Sequence, residues 1–206
     1  MGITYIRMRH FRLSQMILAA VLTASAAYAQ VPQQTPPAAV DEPANAGQDA
    51  LAPLFEALKR ERDAGKARAI VGRINSEWSD SGSATVNLLM QWAANAVTDK
   101  RNAAALDFLD QATLLQPDYA EAWNRRAGLH YVMGNRRKSM ADINQVLQRE
   151  PRHLGALAGM AGILEESGED ELALKAWQRY LTLYPADRDA QDEAKKLSEK
   201  LAGHRT

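Results

Sequence analysis

The chain has 206 residues, 46% apolar and 6% aromatic, with no cysteine and with 25 basic side chains against 25 acidic ones. That balance excludes the strong basic excess of a dedicated nucleic-acid or anionic-membrane binder, and the lack of cysteine excludes a disulfide framework, a thiolate nucleophile and a cysteine metal site. The apolar fraction suffices for a globular core, and abundant alanine with few β-branched runs predicts an all-α chain.

Residues 1–29 read as a secretory signal peptide. Arg7, Arg9, His10 and Arg12 give a positive start, "MILAAVLTASAA" gives the apolar stretch, and Ala27-Tyr28-Ala29 is an A-x-A cleavage site. The apolar run is shorter than the roughly 18 to 20 residues of a spanning helix, so an uncleaved N-terminal anchor is the weaker alternative. Cleavage near Ala29 places the mature chain in the periplasm or outside the cell, with membrane contact only during export. It removes three arginines and no acid, leaving 22 basic and 25 acidic residues.

Residues 30–50 carry Pro32, Pro36, Pro37 and Pro43 with few large apolar side chains, the composition of a disordered proline-rich linker. Residues 51–85 then read as helix, turn, helix, broken at Ala64-Gly65 and ended near Ser81-Gly82. Leu54, Leu58, Ile70 and Ile74 form its apolar stripes, and Trp78 is expected to seal this hairpin onto the unit that begins at residue 86.

Pro117, Pro151 and Pro185 stand 34 residues apart and divide the chain into units 86–119, 120–153 and 154–187. Position 8 of the units is Ala93, Ala127 and Ala161; position 20 is Ala105, Ser139 and Ala173; position 15 is Lys100, Gly134 and Gly168. Small residues at positions 8 and 20 let two helices approach closely, and the proline stops the second. With Trp123 at position 4, Gly134 and Gly168 in the turn and Ala112 at position 27, the pattern resembles the tetratricopeptide repeat family, and more narrowly small exported bacterial proteins of that kind.

The resemblance implies a right-handed solenoid of three helical hairpins, preceded by the degenerate hairpin 51–85 and closed by a capping helix over 188–206. Departures stand at Leu89, where the family carries an aromatic residue, at Lys100, where the turn carries glycine, and at Tyr180, where position 27 is small. The large Tyr180 fits a unit followed by a polar cap, and "DRDAQDEAKKLSEKLAG" supplies one.

Catalytic signatures are missing from the sequence. No two of His10, His130, His153 and His204 have the spacing of a helical metal face, and Glu165-Glu166 splay around a helix instead of facing one another. His130 reads as a core residue. We therefore expect no enzyme, cofactor or metal. Charge is nonetheless organised: residues 120–153 hold seven basic and three acidic side chains, residues 154–187 two basic and six acidic. Neighbouring units would partly satisfy one another.

In the family the first helix of each unit lines a concave groove. That implies a partner-binding set of Asn87, Gln91, Asn124, Arg125, Tyr131, Gly155, Gly159 and Gly162. The three glycines lie on one helical face, where each costs roughly 0.8 to 1 kcal/mol relative to alanine. Met90, Ala94, Gly155 and Gly159 break the pattern of the family's carboxylate clamp for chaperone C-termini. The expectation is a periplasmic, non-catalytic adaptor or scaffold that binds a peptide or protein in its groove; the alternative is a self-associating structural component of an envelope complex, a homo-oligomer.

Overall fold

A computed structural model describes residues 46–203 of the chain. The expected signal peptide and nearly all of the expected linker lie outside the described residues. Nine helices and no strand occur among the described residues: α1 Ala46–Arg60, α2 Ala64–Ser79, α3 Ala84–Thr98, α4 Asn102–Leu115, α5 Ala120–Val132, α6 Arg136–Arg149, α7 Leu154–Glu166, α8 Asp170–Leu183 and α9 Arg188–Gly203. The all-α repeat solenoid read from the sequence is the fold. α1 begins within the stretch expected to be linker.

Helix starts follow local chemistry. Asp63, Ser83 and His153 each accept a backbone N–H from the first turn of α2, α3 and α7, satisfying donors that have no partner inside the helix. The turns inside the pairs α3/α4, α5/α6 and α7/α8 need a left-handed residue, with φ of 77° at Gly134 and 76° at Gly168. Lys100 adopts the same conformation at φ 58° and bears the steric cost that glycine avoids.

Successive pairs share cores. Val86, Met90, Leu109, Tyr119, Ala122 and Leu129 join the first pair to the second. Ala127, Ile143, Val146, Ala156 and Ile163 join the second to the third. The spacing of alanines at 93, 127 and 161 works as expected: all three are buried.

The hairpin α1/α2 does not continue this stack. Phe55, Leu58, Ile74 and Trp78 are buried with Leu154, Leu157, Tyr180, Leu183 and Tyr184, so the hairpin packs against the third pair. Trp78 lies flat on the His153 ring, with centroids 4.2 Å apart and planes 12° from parallel, which corrects the expectation that it seals onto the first unit. Polar anchors fix the path. Gln116 Nε2 donates to the Ser81 carbonyl at 2.7 Å and the Tyr119 hydroxyl to the Ser79 carbonyl at 3.0 Å, while the Arg152 guanidinium sits 4.7 Å over the Phe55 ring. The hairpin therefore runs along the edge formed by the turns between pairs, where Leu154, Tyr180, Leu183 and Tyr184 receive its apolar stripes.

Candidate partner-binding groove

The first helices of the three pairs, α3, α5 and α7, stand side by side. Ala94, Gly128 and Gly162, spaced 34 residues apart, keep the surface between them low. A cleft of about 440 Å³ between α5 and α7 is lined by Asn124, Arg125, Tyr131, Gly155, Gly159 and Gly162, with Ser139 and Ile143 of α6 also in its lining. Six of the eight groove residues inferred from the sequence thus surround one space.

Asn87 and Gln91 stand apart from it. The Asn87 carboxamide accepts the Ser81 N–H at 2.9 Å and the Ser81 hydroxyl at 2.7 Å, and donates to Asp80 at 2.8 Å. It is used to tie α2 to α3. Gln91 is exposed on α3 and lines none of the clefts between α3, α5, α7 and α2.

Two further clefts extend the space. Toward α3, about 580 Å³ is bounded by Ala94, Val97, Arg125, Gly128, Leu129 and Val132, a mostly apolar lining. Toward the other end, about 480 Å³ is bounded by Val71, Asn75 and Trp78 of α2 facing Glu121, Asn124, Arg125, His153 and Ala158. Arg125 borders all three clefts. The α2 wall could not be read from the sequence, because the docking of the hairpin obeys no repeat period.

Glu121 organises the groove's polar end. It accepts Asn124 Nδ2 at 2.8 Å, Arg125 Nε at 2.9 Å and His153 Nε2 at 3.2 Å. His153 Nδ1 accepts the Ala156 N–H at 3.2 Å, so the ring carries its proton on Nε2 and points it at Glu121. Burial pushes the Glu121 carboxyl up, but the hydrogen bonds from His153 and Arg125, with the Arg125 charge, outweigh that and hold it below the usual carboxylate range. Arg125 is thereby positioned while its side chain stays 37% exposed.

At the other end of the α5/α7 cleft, Glu166 accepts both the Tyr131 hydroxyl and Arg136 Nε, the latter at 2.6 Å. These bonds hold the Glu166 carboxyl below its ordinary value. Arg126 likewise bridges Asp142 of its own pair and Asp110 of the preceding one, at 2.7 and 2.8 Å. Opposite charges of neighbouring units are used on one another here. His130 is buried, 3.9 Å from Asp142.

The glycines differ in what faces them. A Cβ on Gly155 would lie 3.5 Å from Asn124 Oδ1, and one on Gly159 would lie 3.4 Å from Ile143 Cδ1. A Cβ on Gly128 or Gly162 would meet nothing within 4 Å. Their low helix propensity therefore has no packing cause within the described residues.

Stacked antiparallel helix pairs at a 34-residue spacing, with clefts between their first helices, define a helical-repeat protein. The chain belongs to the tetratricopeptide repeat family: it is 65% identical over 153 residues to a TPR repeat-containing protein of Rhizobium etli, a match covering 74% of this chain and 75% of that one. No protein-family model matches the chain. Among solved structures, the fold is similar to the first TPR of Spaghetti (RPAP3) bound to the HSP90 peptide SRMEEVD, with TM-score 0.54, 20% identity and coverage of 60% of this chain and 96% of that one. It is also similar to the Sgt2 TPR domain from Aspergillus fumigatus, with TM-score 0.54, 15% identity and coverage of 60% and 84%.

Among the described residues no helix is long and apolar enough to cross a membrane, and no group of three or more His, Asp or Glu is placed to hold a metal ion.

Proposed function

We propose that this chain is a non-catalytic adaptor of the periplasm that holds an extended peptide segment of a partner protein in the groove formed by α3, α5, α7 and α2. The observation that carries the reading is the pair Gly128 and Gly162, which border open clefts and whose missing side chains make room for nothing in the chain itself. A peptide backbone lying there gains the close approach that a methyl group would deny it.

The lining specifies partner chemistry. Val97, Leu129 and Val132 receive an apolar side chain, and Arg125 receives a carboxylate or a backbone carbonyl. A repeat of the same fold in RPAP3 holds an HSP90 peptide, which supports a peptide as the class of ligand. Here Ala94, Gly155 and Gly159 line the clefts and differ from the carboxylate-clamp pattern, while Met90 is buried in the core, so a different sequence is bound. The arginine-led apolar stretch and A-x-A site of residues 1–29 support export.

The test is affinity capture from an envelope extract by the mature chain beginning at Gln30. Arg125→Glu is expected to abolish capture while helicity is retained, with the melting temperature a few degrees lower because Glu121 loses a partner and gains a like charge one turn away. Unchanged capture by that variant refutes the groove assignment.

A further inference from the structure

The geometry points to a second interaction surface, at the N-terminal end of the stack, whose occupant is a second copy of this chain. It is separate from the groove and does not rest on the peptide-binding reading.

Each later pair in the stack is covered on one side by the pair before it. Residues 34 apart show which side that is. Ala122 and Ala156 are 0% and 1% exposed, buried against the preceding pair, and Leu129 and Ile163 are 5% exposed in the same interfaces. The equivalent residues of α3 are Leu88, 42% exposed, and Asn95, also exposed. The pair Arg126 and Asp142 points the same way, since Arg126 reaches back to Asp110 and Thr113 of the preceding pair. Its counterpart in the first pair is Trp92 and Phe108, packed on each other with centroids 5.6 Å apart and Trp92 44% exposed.

The end face of α3/α4 is therefore a stacking interface with no helix on it among the described residues. α2, the helix that chain order would place there, is committed to the third pair. Terminal repeats of solenoids need polar outer faces, and α9 meets that need at the far end with Asp192, Lys195 and Glu199 exposed. The near end does the opposite.

Charge selects the occupant. Leu88, Leu89, Trp92, Asn95 and Phe108 include no ionised group, and Asp99, one turn beyond Asn95, is paired with Arg101 at 3.0 Å, so an identical face meets no unpaired like charge when brought against this one. A two-fold axis lets each Trp92 and Phe108 pair pack on its own copy, and such an isologous contact closes at a dimer. The face is carried by α3 with Phe108 of α4 and is about 20 Å long, at the small end of specific interfaces, so the dimer forms in the micromolar range or weaker.

Sedimentation equilibrium of the chain from about 1 to 200 µM tests this. We expect reversible monomer and dimer only. Trp92→Glu, or Leu88→Glu should the first variant lose helicity, raises the dissociation constant at least tenfold, and Asn95→Leu lowers it. Leu172→Glu, an exposed apolar site on α8, leaves it unchanged. A monomer throughout, larger closed or open species, or a dimer indifferent to Trp92→Glu and Leu88→Glu overturns the assignment.

Discussion

Glu121 shows how a single side chain links stability to the groove. Its carboxylate is held by His153 and Arg125 below its ordinary pKa, so its contribution to stability is present above the unfolded value near 4.5 and is lost as pH falls through the folded one. Glu121→Gln should therefore flatten the loss of urea stability between about pH 5 and pH 3 relative to the parent. Equal slopes in the two proteins would show that Glu121 is not the linked group. The same residue fixes Arg125, so that variant should also loosen the groove's cation at neutral pH. None of this was legible from sequence spacing beyond the placement of Asn124 and Arg125 one turn after Glu121, because His153 joins them from 32 residues away.

At the scale of elements, the three helix pairs were readable because most interior features recur. Prolines, turn residues and small residues at the helix crossings repeat at 34, and each repetition independently fixes the same geometry. Lys100 illustrates the tolerance of such a pattern: the turn conformation survives without glycine because the flanking helices impose it. The hairpin was readable as a hairpin but not as to destination. Its stripes name apolar faces, and only the three-dimensional arrangement shows that Tyr180, Leu183 and Tyr184 receive them.

That docking makes a prediction of its own. Phe55 is fully buried between the hairpin and the third pair, so Phe55→Ala should cost about 3 to 5 kcal/mol in denaturant unfolding. It should also change the fluorescence of Trp78, which lies 5.9 Å from Phe55. A cost below about 1 kcal/mol with unaltered fluorescence would mean that the hairpin does not sit on the third pair in solution.

As a whole molecule, the described chain presents two faces with different chemistries. The groove is polar at Glu121 and Arg125, apolar toward α3 and bare at its glycines, which suits an extended segment. The end face of α3/α4 is apolar around Leu88, Trp92 and Phe108, which suits a copy of itself. Three of the four walls of the groove could be assigned from the sequence, since they are the repeating helices; α2 could not, and it carries Val71, Asn75 and Trp78.

Because the chain has no cysteine, a single one introduced at Gly128 can carry a photoactivated cross-linker, and the open space there admits it without repacking. Illumination in an envelope extract should give a cross-linked partner from position 128, lost when Arg125→Glu is added. A control cysteine at the exposed Ser198 on α9 should give none. No product from position 128, or the same product from both positions, would contradict the groove as the binding surface.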